Sequence, residues 1–528
     1  MHLRPRLRHL AVLGLAGLAL AAVGATAAQS KPLASQHSLA STILDGTTDT
    51  VTNIDPAGNY DEGTSVVDLM MYQHLLGFPN GIAKSPQPEL ATGCKANGAD
   101  TVWTCTLKQG VKFSNGDPFT SADVKWSFDR VIKIKDPSGI SGLLANLAST
   151  TTNGDYSVSF HTKTPDATWP YILTTGAGLI VDHNVYPADK IVADSDVSSL
   201  VGTGPYKLDK FSSGQQAVFS PNPNYTGAKP KNDGVIITYY SKSSTMKLAL
   251  QQGSIDMAFR DFTATEYGAL AKTKGISVYK GAGVSIRYLV FNVKRAPANN
   301  LAVRQAVAYL MPRQDIATRI YHGNVQPLYS MVPKGLPGHQ DSFAVDYGDS
   351  PSVAKAKAVL QKAGVKTPVP LTVWWTPTHY GDSSADEYSE IQRALNSSGL
   401  FKVTLKSAEW ATYVDTLGKQ YTAYQLGWFP DYVDGEDYLL PFYLTGNFTG
   451  NAYSSPKMDS ILKKEQGSKS TTERLGYIAQ AQALAAKDVP IVPVWQGAML
   501  AVGRSNIQGI QQTLDPTYIL RFWNLSKS

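Results

Sequence analysis

The chain contains, in this order, GTGPYKLDKF (202–211), NPNYTGAKP (222–230) and LALQQGSIDM (248–257). In the first segment, Pro205 fixes its own φ and Gly204 permits backbone angles that other residues avoid, so the segment predicts a turn followed by a strand. The second segment is rich in Asn, Pro and Gly and predicts further turns. The third predicts the end of a helix, because Gly253 favours the left-handed conformation found at helix C termini.

Strands and helices alternate along the rest of the chain as well. Runs of β-branched and aromatic residues predict strands over 43–53, 103–107, 156–161, 206–211, 216–219, 235–240, 288–292, 371–375 and 401–407. Apolar residues at helical spacing predict helices over 66–76, 246–252, 301–309, 352–363, 388–395 and 473–487. A chain of 528 residues is too long for one hydrophobic core, so we expect two or three domains of α/β type.

The N terminus predicts export, and the charge gives no reason to expect nucleic acid binding. Residues 1–28 contain three arginines, an apolar run over 10–22 and the small residues Ala-Thr-Ala at 25–27, which together predict a secretory signal peptide. An uncleaved anchor is the alternative, but the run is shorter than the roughly 20 residues that span a bilayer. Removal of the three arginines lowers the net charge from +6 to +3 (6 − 3), which is small for a chain of this size. We expect a secreted protein, in the periplasm or at the outer face of the cell membrane.

The two cysteines, Cys94 and Cys105, flank Asn97-Gly98, which is a strong signal for a hairpin turn. Two cysteines on paired strands of an exported protein most simply form a disulfide. A metal site is the alternative, but two thiols without nearby histidines disfavour it.

Three further segments complete a pattern of motifs. They are the opening strand with its Ile54-Asp55-Pro56 turn, the turn GVKFSNG (110–116) followed by the helix start TSADV (120–124), and the helix LAVRQA (301–306). Together with the segments at 202–257, they resemble the extracellular solute-binding proteins of family 5, which deliver oligopeptides, dipeptides and similar solutes to ABC importers. Many members carry a cysteine directly after the leader. This chain has none there, so we do not expect a lipid anchor.

The resemblance implies an α/β, two-lobed periplasmic-binding-protein fold (type II-like, cluster C) with an additional inserted domain. After the signal peptide at 1–28, it assigns 29–78, 201–287 and 492–528 to lobe I, 79–200 to the inserted domain and 288–491 to lobe II. It also implies a monomer that holds its solute between the lobes and docks on an ABC permease in the membrane.

The best candidate for a ligand site is the segment LGWFPDYVDGEDY (426–438), which resembles the Gly-Trp-x-x-Asp-Tyr segment of the family. In peptide-binding members this aspartate faces the α-amino group of the ligand and the tryptophan lines a side-chain pocket, so the resemblance assigns these roles to Asp431 and Trp428. A peptide ammonium that loses water in a closed cleft needs a fixed carboxylate. The alternative is that Asp431 only orders the turn after Pro430. Gly435 stands where many members have proline, which leaves the path of the loop open.

Aromatic residues supply the other candidates for ligand contact. They are Tyr60 after the first strand, Trp374 at the end of a strand and Tyr432 next to Asp431. Packing in a hydrophobic core is an equally good explanation for each of them.

Charged residues pose two further questions. The acidic residues within 431–437 have the composition of a calcium loop, but their spacing does not match the EF-hand, so we predict no metal site. No motif selects the residue that would hold a ligand carboxylate, and three arginines remain open: Arg287, Arg295 and Arg393.

We predict that the chain captures di- or oligopeptides by hinge closure, without a cofactor, and delivers them to an ABC importer. One alternative is the same fold with an oligosaccharide or a metal chelate as ligand, for which Asp431 would matter little. Another is a secreted hydrolase. The chain lacks Gly-x-Ser-x-Gly, His-Glu-x-x-His and Gly-x-x-x-x-Gly-Lys motifs, so we predict a binding protein and not an enzyme.

Overall fold

The computed structural model describes residues 40–78, 85–377, 379–381 and 383–528. The predicted signal peptide at 1–28 lies outside the described residues. Three larger sheets, of seven, six and four strands, organise the described part of the chain, and two ribbons of two strands accompany them.

The strands, in chain order, are β1 (Ile43–Thr47), β2 (Leu76–Gly77), β3 (Gln87–Pro88), β4 (Ala91–Ala96), β5 (Val102–Leu107), β6 (Leu147–Thr152), β7 (Ser157–Thr162), β8 (Tyr206–Ser212), β9 (Gln216–Pro221), β10 (Val235–Tyr239), β11 (Met257–Phe259), β12 (Ile276–Gly281), β13 (Ile286–Phe291), β14 (Val325–Pro327), β15 (Val369–Trp375), β16 (Phe401–Ser407), β17 (Ala423–Trp428), β18 (Ile491–Gly497), β19 (Met499–Arg504), β20 (Ile507–Gln508) and β21 (Ser526–Lys527).

The α-helices, in chain order, are α1 (Glu62–Met71), α2 (Ser121–Ile134), α3 (Trp169–Ile172), α4 (Ser243–Gln252), α5 (Ala264–Leu270), α6 (Leu301–Leu310), α7 (Arg313–Asp315), α8 (Ser342–Tyr347), α9 (Val353–Lys362), α10 (Ser384–Ser397), α11 (Trp410–Thr416), α12 (Leu440–Tyr443), α13 (Pro456–Gln466), α14 (Thr471–Asp488) and α15 (Ile510–Thr513). Among the described residues, no helix is both long enough and apolar enough to span a bilayer.

The seven-stranded sheet has the order β12-β19-β11-β1-β10-β9-β8, and two of the sequence motifs meet at its edge. The backbone N–H of Asn222 donates to the carbonyl of Pro205, and the Asn222 side chain donates to the carbonyl of Gly204, both at 2.9 Å. A Cβ atom at Gly204 would lie 2.6 Å from the carbonyl oxygen of Met70, so the turn can approach helix α1 only with glycine at this position. The predicted strands of this region form the hairpin β8–β9, and the helix α4 ends at Gly253 with φ 80° as predicted.

The six-stranded sheet has the order β14-β18-β13-β17-β15-β16. Every residue of β13 and of β18 is buried, as expected for central strands that are covered on both faces. The antiparallel register of β13 with β17 sets Ile286 opposite Trp428 and Arg287 opposite Gly427. This register brings Arg287 close to the start of the predicted ligand segment.

The four-stranded sheet, β4-β5-β7-β6, carries the predicted disulfide. Cys94 and Cys105 are direct partners across β4 and β5, and their sulfur atoms are bonded, with 4.0 Å between the Cα atoms. The side chain of Asn97 closes the intervening turn by accepting from the backbone N–H of Thr101 at 3.0 Å. The predicted hairpin and disulfide are therefore confirmed.

The chain crosses from the seven-stranded to the six-stranded sheet between β12 and β13, and it returns between β18 and β19. The two crossings lie side by side: Gln496 Nε2 donates to the carbonyl of Gly283 at 2.7 Å, and the N–H of Gly497 donates to the carbonyl of Ser285 at 2.8 Å. Because β18 belongs to the six-stranded sheet, the return comes at Ala498. We propose that lobe I is built on the seven-stranded sheet, lobe II on the six-stranded sheet and the inserted domain on the four-stranded sheet.

Two predicted element boundaries near the N terminus are wrong. The first strand ends at Thr47 and does not continue to residue 53, because the next backbone N–H, that of Thr48, donates to the carboxylate of Asp261 at 2.9 Å. The following helix spans Glu62–Met71 and not 66–76, because the Asp61 side chain accepts from the Thr64 N–H and caps an earlier start.

Candidate functional site

The loop that follows strand β17 contains Asp431, which contacts a residue from the segment that follows β1 of the seven-stranded sheet. The hydroxyl of Tyr60 donates to the two carboxylate oxygens of Asp431 at 2.7 and 2.9 Å. Tyr60 stands between β1 and α1, 371 residues earlier in the chain, and its side chain remains about half exposed, at 48%. The hydrogen bond therefore joins the segment next to the seven-stranded sheet to the loop at the end of the six-stranded sheet.

A second aspartate fixes the conformation of this loop. One carboxylate oxygen of Asp437 accepts from the backbone N–H of Asp431 at 3.1 Å and from the indole N–H of Trp428 at 3.0 Å. The indole ring of Trp428 packs against Phe442 and Phe448, with ring centroids 5.2 and 5.3 Å away. Asp437 therefore ties Trp428 and Asp431 together, and the backbone of Asp431 is held at a defined position in the loop.

A cavity of about 650 Å³, which includes its open mouth, lies next to Asp431. Four segments contribute to its lining: 62–78, 174–179, 430–433 and 517–519. The first and last segments flank the seven-stranded sheet, the second follows the four-stranded sheet, and the third follows β17. A concave cleft that is bounded by several parts of the chain is a common place for a small-molecule site.

Burial raises the pKa of three carboxyl groups that line the cavity, those of Glu62, Asp68 and Asp431. Burial raises the pKa of Asp431 to about 7, and the hydrogen bond from Tyr60 opposes this shift by favouring the carboxylate. Burial also raises the pKa of Glu62 to about 7, against the opposing charge of Arg260. A ligand cation next to Asp431 would stabilise the ionised form and would replace the missing solvent.

The predicted contact residue Tyr432 packs on the side of the four-stranded sheet. It is 6% exposed, its ring lies 6.0 Å from that of Tyr171, and its hydroxyl donates to Glu436. Its neighbours in the hydrophobic core are residues of the four-stranded sheet and helix α2, although part of Tyr432 also lines the cavity.

The predicted contact residue Trp374 lies apart from the other candidates. Its ring stacks on Tyr421, with 4.4 Å between centroids, and the ammonium of Lys406 lies 5.4 Å from the indole. Trp374 does not line the cavity with Asp431. The structure therefore brings together Asp431, Tyr60, Trp428 and Tyr432, and it places Trp374 elsewhere in the same lobe.

The other acidic residues of the loop are engaged by protein donors. Asp434 accepts from Arg474 at 2.8 Å, and Glu436 accepts from Gln466 at 3.2 Å as well as from Tyr432. Protein donors thus occupy the carboxylates of Asp434 and Glu436.

Among the residues that the structure describes, one group of side chains has ligand atoms close enough together for a cation: Asp123, Asp182 and His183, within 4.8 Å of one another. Asp123 accepts from the His183 ring at 2.7 Å and from the backbone N–H of Thr120, where it completes the capping box of helix α2. Asp182 accepts from the side chain of Asn115 at 2.9 Å. These contacts give the group a structural role in the inserted domain.

Comparison with known proteins identifies the family. The family model for bacterial extracellular solute-binding proteins, family 5 (middle region), matches residues 85–450, which is more than half of the chain. The chain belongs to this family. The predicted membership and the predicted class of solute-binding protein are thereby confirmed.

Similar family 5 proteins have been named from their ligands. The chain is 27% identical over 460 residues to the probable D,D-dipeptide-binding periplasmic protein DdpA of Escherichia coli (strain K12), covering 84% of this chain and 86% of the relative. It is 25% identical over 471 residues to the glutathione-binding protein GsiB of Salmonella typhimurium, covering 87% and 89%.

Solved structures share the fold over nearly the whole described chain. DppA of Helicobacter pylori, in complex with the peptide STSA, superposes with a TM-score of 0.78 at 23% identity, covering 92% of this chain and 98% of that one. The dipeptide-binding protein of Pseudoalteromonas sp. SM9913, in complex with Met-Leu, gives 0.76 at 20% identity, covering 92% and 100%. The predicted two-lobed α/β fold of periplasmic binding proteins is confirmed.

Two residues of the candidate site, Asp437 and Glu62, were not found from the sequence. The role of Asp437 depends on a turn that returns its carboxylate to Asp431, and no spacing rule indicates such a turn. Glu62 borders the cavity because the helix begins four residues earlier than predicted. The N-cap residue Asp61 directly before it is the signal that could have located both the helix start and Glu62.

Proposed function

We propose that this family 5 protein captures di- or oligopeptides in the cavity next to Asp431 and delivers them to an ABC permease. The observation that supports this most strongly is a poorly solvated carboxylate, fixed by Asp437 on a loop of one lobe and facing a residue of the other. A peptide ammonium is the ligand group that such a carboxylate binds best. The ligands named for DdpA, GsiB and the two solved structures are consistent with a peptide.

The hydrogen bond between Tyr60 and Asp431 suggests how ligand capture is coupled to movement of the lobes. The Tyr60 hydroxyl occupies the position from which an ammonium would donate to Asp431. A bound peptide would contact both sides of the same cavity and so favour the closed arrangement. We propose that the closed form is recognised by the permease, that the exported protein acts as a monomer, and that the peptide is released without chemical change.

The test is calorimetric titration with two probes, the dipeptide Met-Leu and the tetrapeptide Ser-Thr-Ser-Ala, each with a free and an N-acetylated amino group. We expect the free peptides to bind wild type and the acetylated peptides to bind at least tenfold more weakly. Asp431→Asn should weaken the free peptides by about 10- to 100-fold and remove the preference for a free amino group. Asp415→Asn is the matched control, because Asp415 is an exposed aspartate of the same lobe with a local ion pair.

Three results would contradict the proposal. Equal binding of free and acetylated peptides would show that Asp431 does not bind the α-amino group of the ligand. If the protein binds an oligosaccharide such as cellotriose and not peptides, and Asp431→Asn binds it equally well, the ligand is a sugar and not a peptide. Mass spectrometry that detects cleaved peptide after incubation would show a hydrolase.

A further inference from the structure

The cavity next to Asp431 has an acidic lining. Among the described residues of this lining there are three carboxyl groups, those of Glu62, Asp68 and Asp431, and there is no lysine or arginine. Outside the lining lie the three arginines that the sequence left open: Arg287, Arg295 and Arg393. The proposed function gives Asp431 to the α-amino group of the ligand, and it leaves the other two acids without a role.

Asp68 is a buried carboxyl group of helix α1 with one oxygen that has no partner. It is 2% exposed, and its Oδ2 atom accepts from the side chain of Asn59 at 3.0 Å. Its Oδ1 atom is also buried and has no hydrogen-bond partner. A buried acceptor in this state is stabilised by a donor that enters the cavity.

The surroundings of Asp68 favour a donor that carries a positive charge. Burial raises the pKa of Asp68 well above its usual range, and the nearby acids Asp61 and Asp55 raise it further. Glu62 differs from Asp68, because the positive charge of Arg260 acts on it. A cation at Asp68 would restore the ionised carboxylate and would form a charge-assisted hydrogen bond with it.

His74 lines the same cavity and supplies a second acceptor. It is 4% exposed, and its Nδ1 atom lies 3.3 Å from Oε2 of Glu89, which also accepts from the backbone N–H of His74 at 3.1 Å. We therefore assign the proton of the neutral ring to Nδ1, which leaves the lone pair on Nε2. The Nε2 atom is buried and has no hydrogen-bond partner.

The hydroxyl groups in the same lining are satisfied by the protein itself. Ser65 Oγ donates to the carbonyl of Asp61 at 2.9 Å, and Thr175 Oγ1 donates to the carbonyl of Ile172 at 2.8 Å. In the described lining, the buried side-chain atoms without a partner are Oδ1 of Asp68 and Nε2 of His74. Both are acceptors, so the group that they suit is a donor.

We propose that Asp68 and His74 form a second subsite of the cavity, which binds a cationic side chain of the peptide such as the ammonium group of lysine. Asp431 belongs to the loop after β17 and Asp68 to helix α1, so the two carboxylates meet the ligand from different parts of the chain. This inference rests on the proposed peptide-binding function, and it names the preferred substrates as peptides with a second positive charge. A free diamine has the same ammonium chemistry, and the test separates these two sources.

The test is calorimetric titration of the full chain with dipeptides that differ by one side-chain ammonium. Lys-Leu and Leu-Lys are each compared with the analogue in which norleucine, which has the same straight carbon chain without the ammonium, replaces lysine. Wild type should bind at least one lysyl peptide about 10- to 100-fold more tightly than its norleucine analogue. Asp68→Asn should abolish this difference, because the amide keeps one oxygen for Asn59 and places an NH2 group where Oδ1 stood.

Two further variants complete the set. His74→Phe keeps an aromatic ring and removes the acceptor, so it should reduce the preference for lysine about 2- to 10-fold. Asp129→Asn is the matched control and should retain the wild-type ratio, because Asp129 is an exposed aspartate of helix α2 with a local ion pair to Lys125.

Cadaverine, whose two ammonium groups have the spacing of those in lysine, identifies the source of the second charge. We expect it to bind more weakly than the preferred lysyl peptide, as a ligand that lacks the peptide group. Cadaverine that binds as tightly as this peptide, with the binding lost in Asp68→Asn, would support the subsite and refute the proposed capture of peptides.

The ratio of lysyl to norleucyl affinity separates failure of the inference from failure of the proposed function. Equal affinity of wild type for the two kinds of peptide would overturn the inference while the proposed function stands, as expected if only water meets Asp68 and His74. A preference for lysine that Asp68→Asn retains would also overturn it. Failure of wild type to bind any of these peptides would instead refute the proposed function. If Asp68→Asn does not fold, the wild-type and His74→Phe ratios decide.

Discussion

At the scale of single residues, the protonation of Asp431 controls whether an ammonium can bind. Burial raises the pKa of Asp431 to about 7, and the α-amino group of a peptide has a pKa of about 7.7–8.0. Binding needs the ionised forms of both groups, so affinity should follow a bell-shaped pH profile. We expect a maximum near pH 7.4 and an affinity about fivefold lower at pH 6, measured by calorimetry with Met-Leu.

Three variants identify the residue whose protonation lowers the affinity at acid pH. Asp431→Asn should lose the fall in affinity below pH 7, whereas Glu62→Gln should keep it, although burial raises the pKa of Glu62 to a similar value. Tyr60→Phe removes a hydrogen bond that favours the ionised form, so its acid limb should shift to higher pH. A profile that is flat in wild type, or that vanishes only in Glu62→Gln, would contradict the assignment.

The sequence could identify some site residues and not others, for a physical reason. Asp431 and Trp428 lie in a segment that resembles the family motif, and this resemblance predicts their roles. Asp68 and His74 lie in no such segment, and in the sequence they resemble the other aspartates and histidines of the chain. Burial and the lack of a hydrogen-bond partner depend on distant segments, so they become visible only in three dimensions.

At the scale of secondary structure elements, apolar spacing predicts which residues are buried better than it predicts where a helix begins or ends. Leu75 and Leu76 continue the apolar pattern of α1 and are buried, but they lie beyond the end of the helix at Met71. Elements whose ends are fixed by local chemistry were predicted more accurately, such as α4 at Gly253 and α2 at Thr120. Caps and turn residues act within a few positions of the chain, whereas the burial of a loop residue depends on the whole fold.

The disulfide between β4 and β5 should stabilise the protein without affecting the ligand. Cys94 and Cys105 close a short loop between two adjacent strands, and Cys105 is fully buried in the core of the inserted domain. The double variant Cys94→Ser/Cys105→Ser should lower the free energy of unfolding by about 2–3 kcal/mol. Denaturant unfolding gives this change, and peptide affinity should stay within about twofold of wild type because neither cysteine lines the cavity.

Reduction of the wild-type protein provides the control for this prediction. The reduced protein should unfold at the same denaturant concentration as the serine variant, because both lack the same cross-link. A loss of peptide affinity as large as the loss of stability would show instead that the inserted domain transmits strain to the site, for example through the contact between Tyr171 and Tyr432.

At the scale of the whole molecule, two adjacent crossings of the chain connect the seven-stranded and six-stranded sheets. The crossing at 282–285 and the crossing at Ala498 are tied together by hydrogen bonds from Gln496 and Gly497. The Tyr60–Asp431 contact joins the same two lobes away from these crossings. Rotation about the crossings is therefore the movement by which we expect the cavity to open and close.

Gly283→Ala tests this movement, because the added methyl group has no room between the crossings. Its Cβ atom would lie 2.6 Å from the carbonyl oxygen of Gly497 and 2.8 Å from the backbone nitrogen of Met499. We expect the variant to lose about 1–3 kcal/mol of stability. It should also show a smaller decrease in radius of gyration than wild type when Met-Leu is added at saturation, measured by small-angle X-ray scattering. Gly268→Ala is the control, because a Cβ atom there meets no atom within 4 Å. Scattering profiles of wild type that do not change with saturating ligand would contradict closure at these crossings, since the lobes would then hold one arrangement in both states.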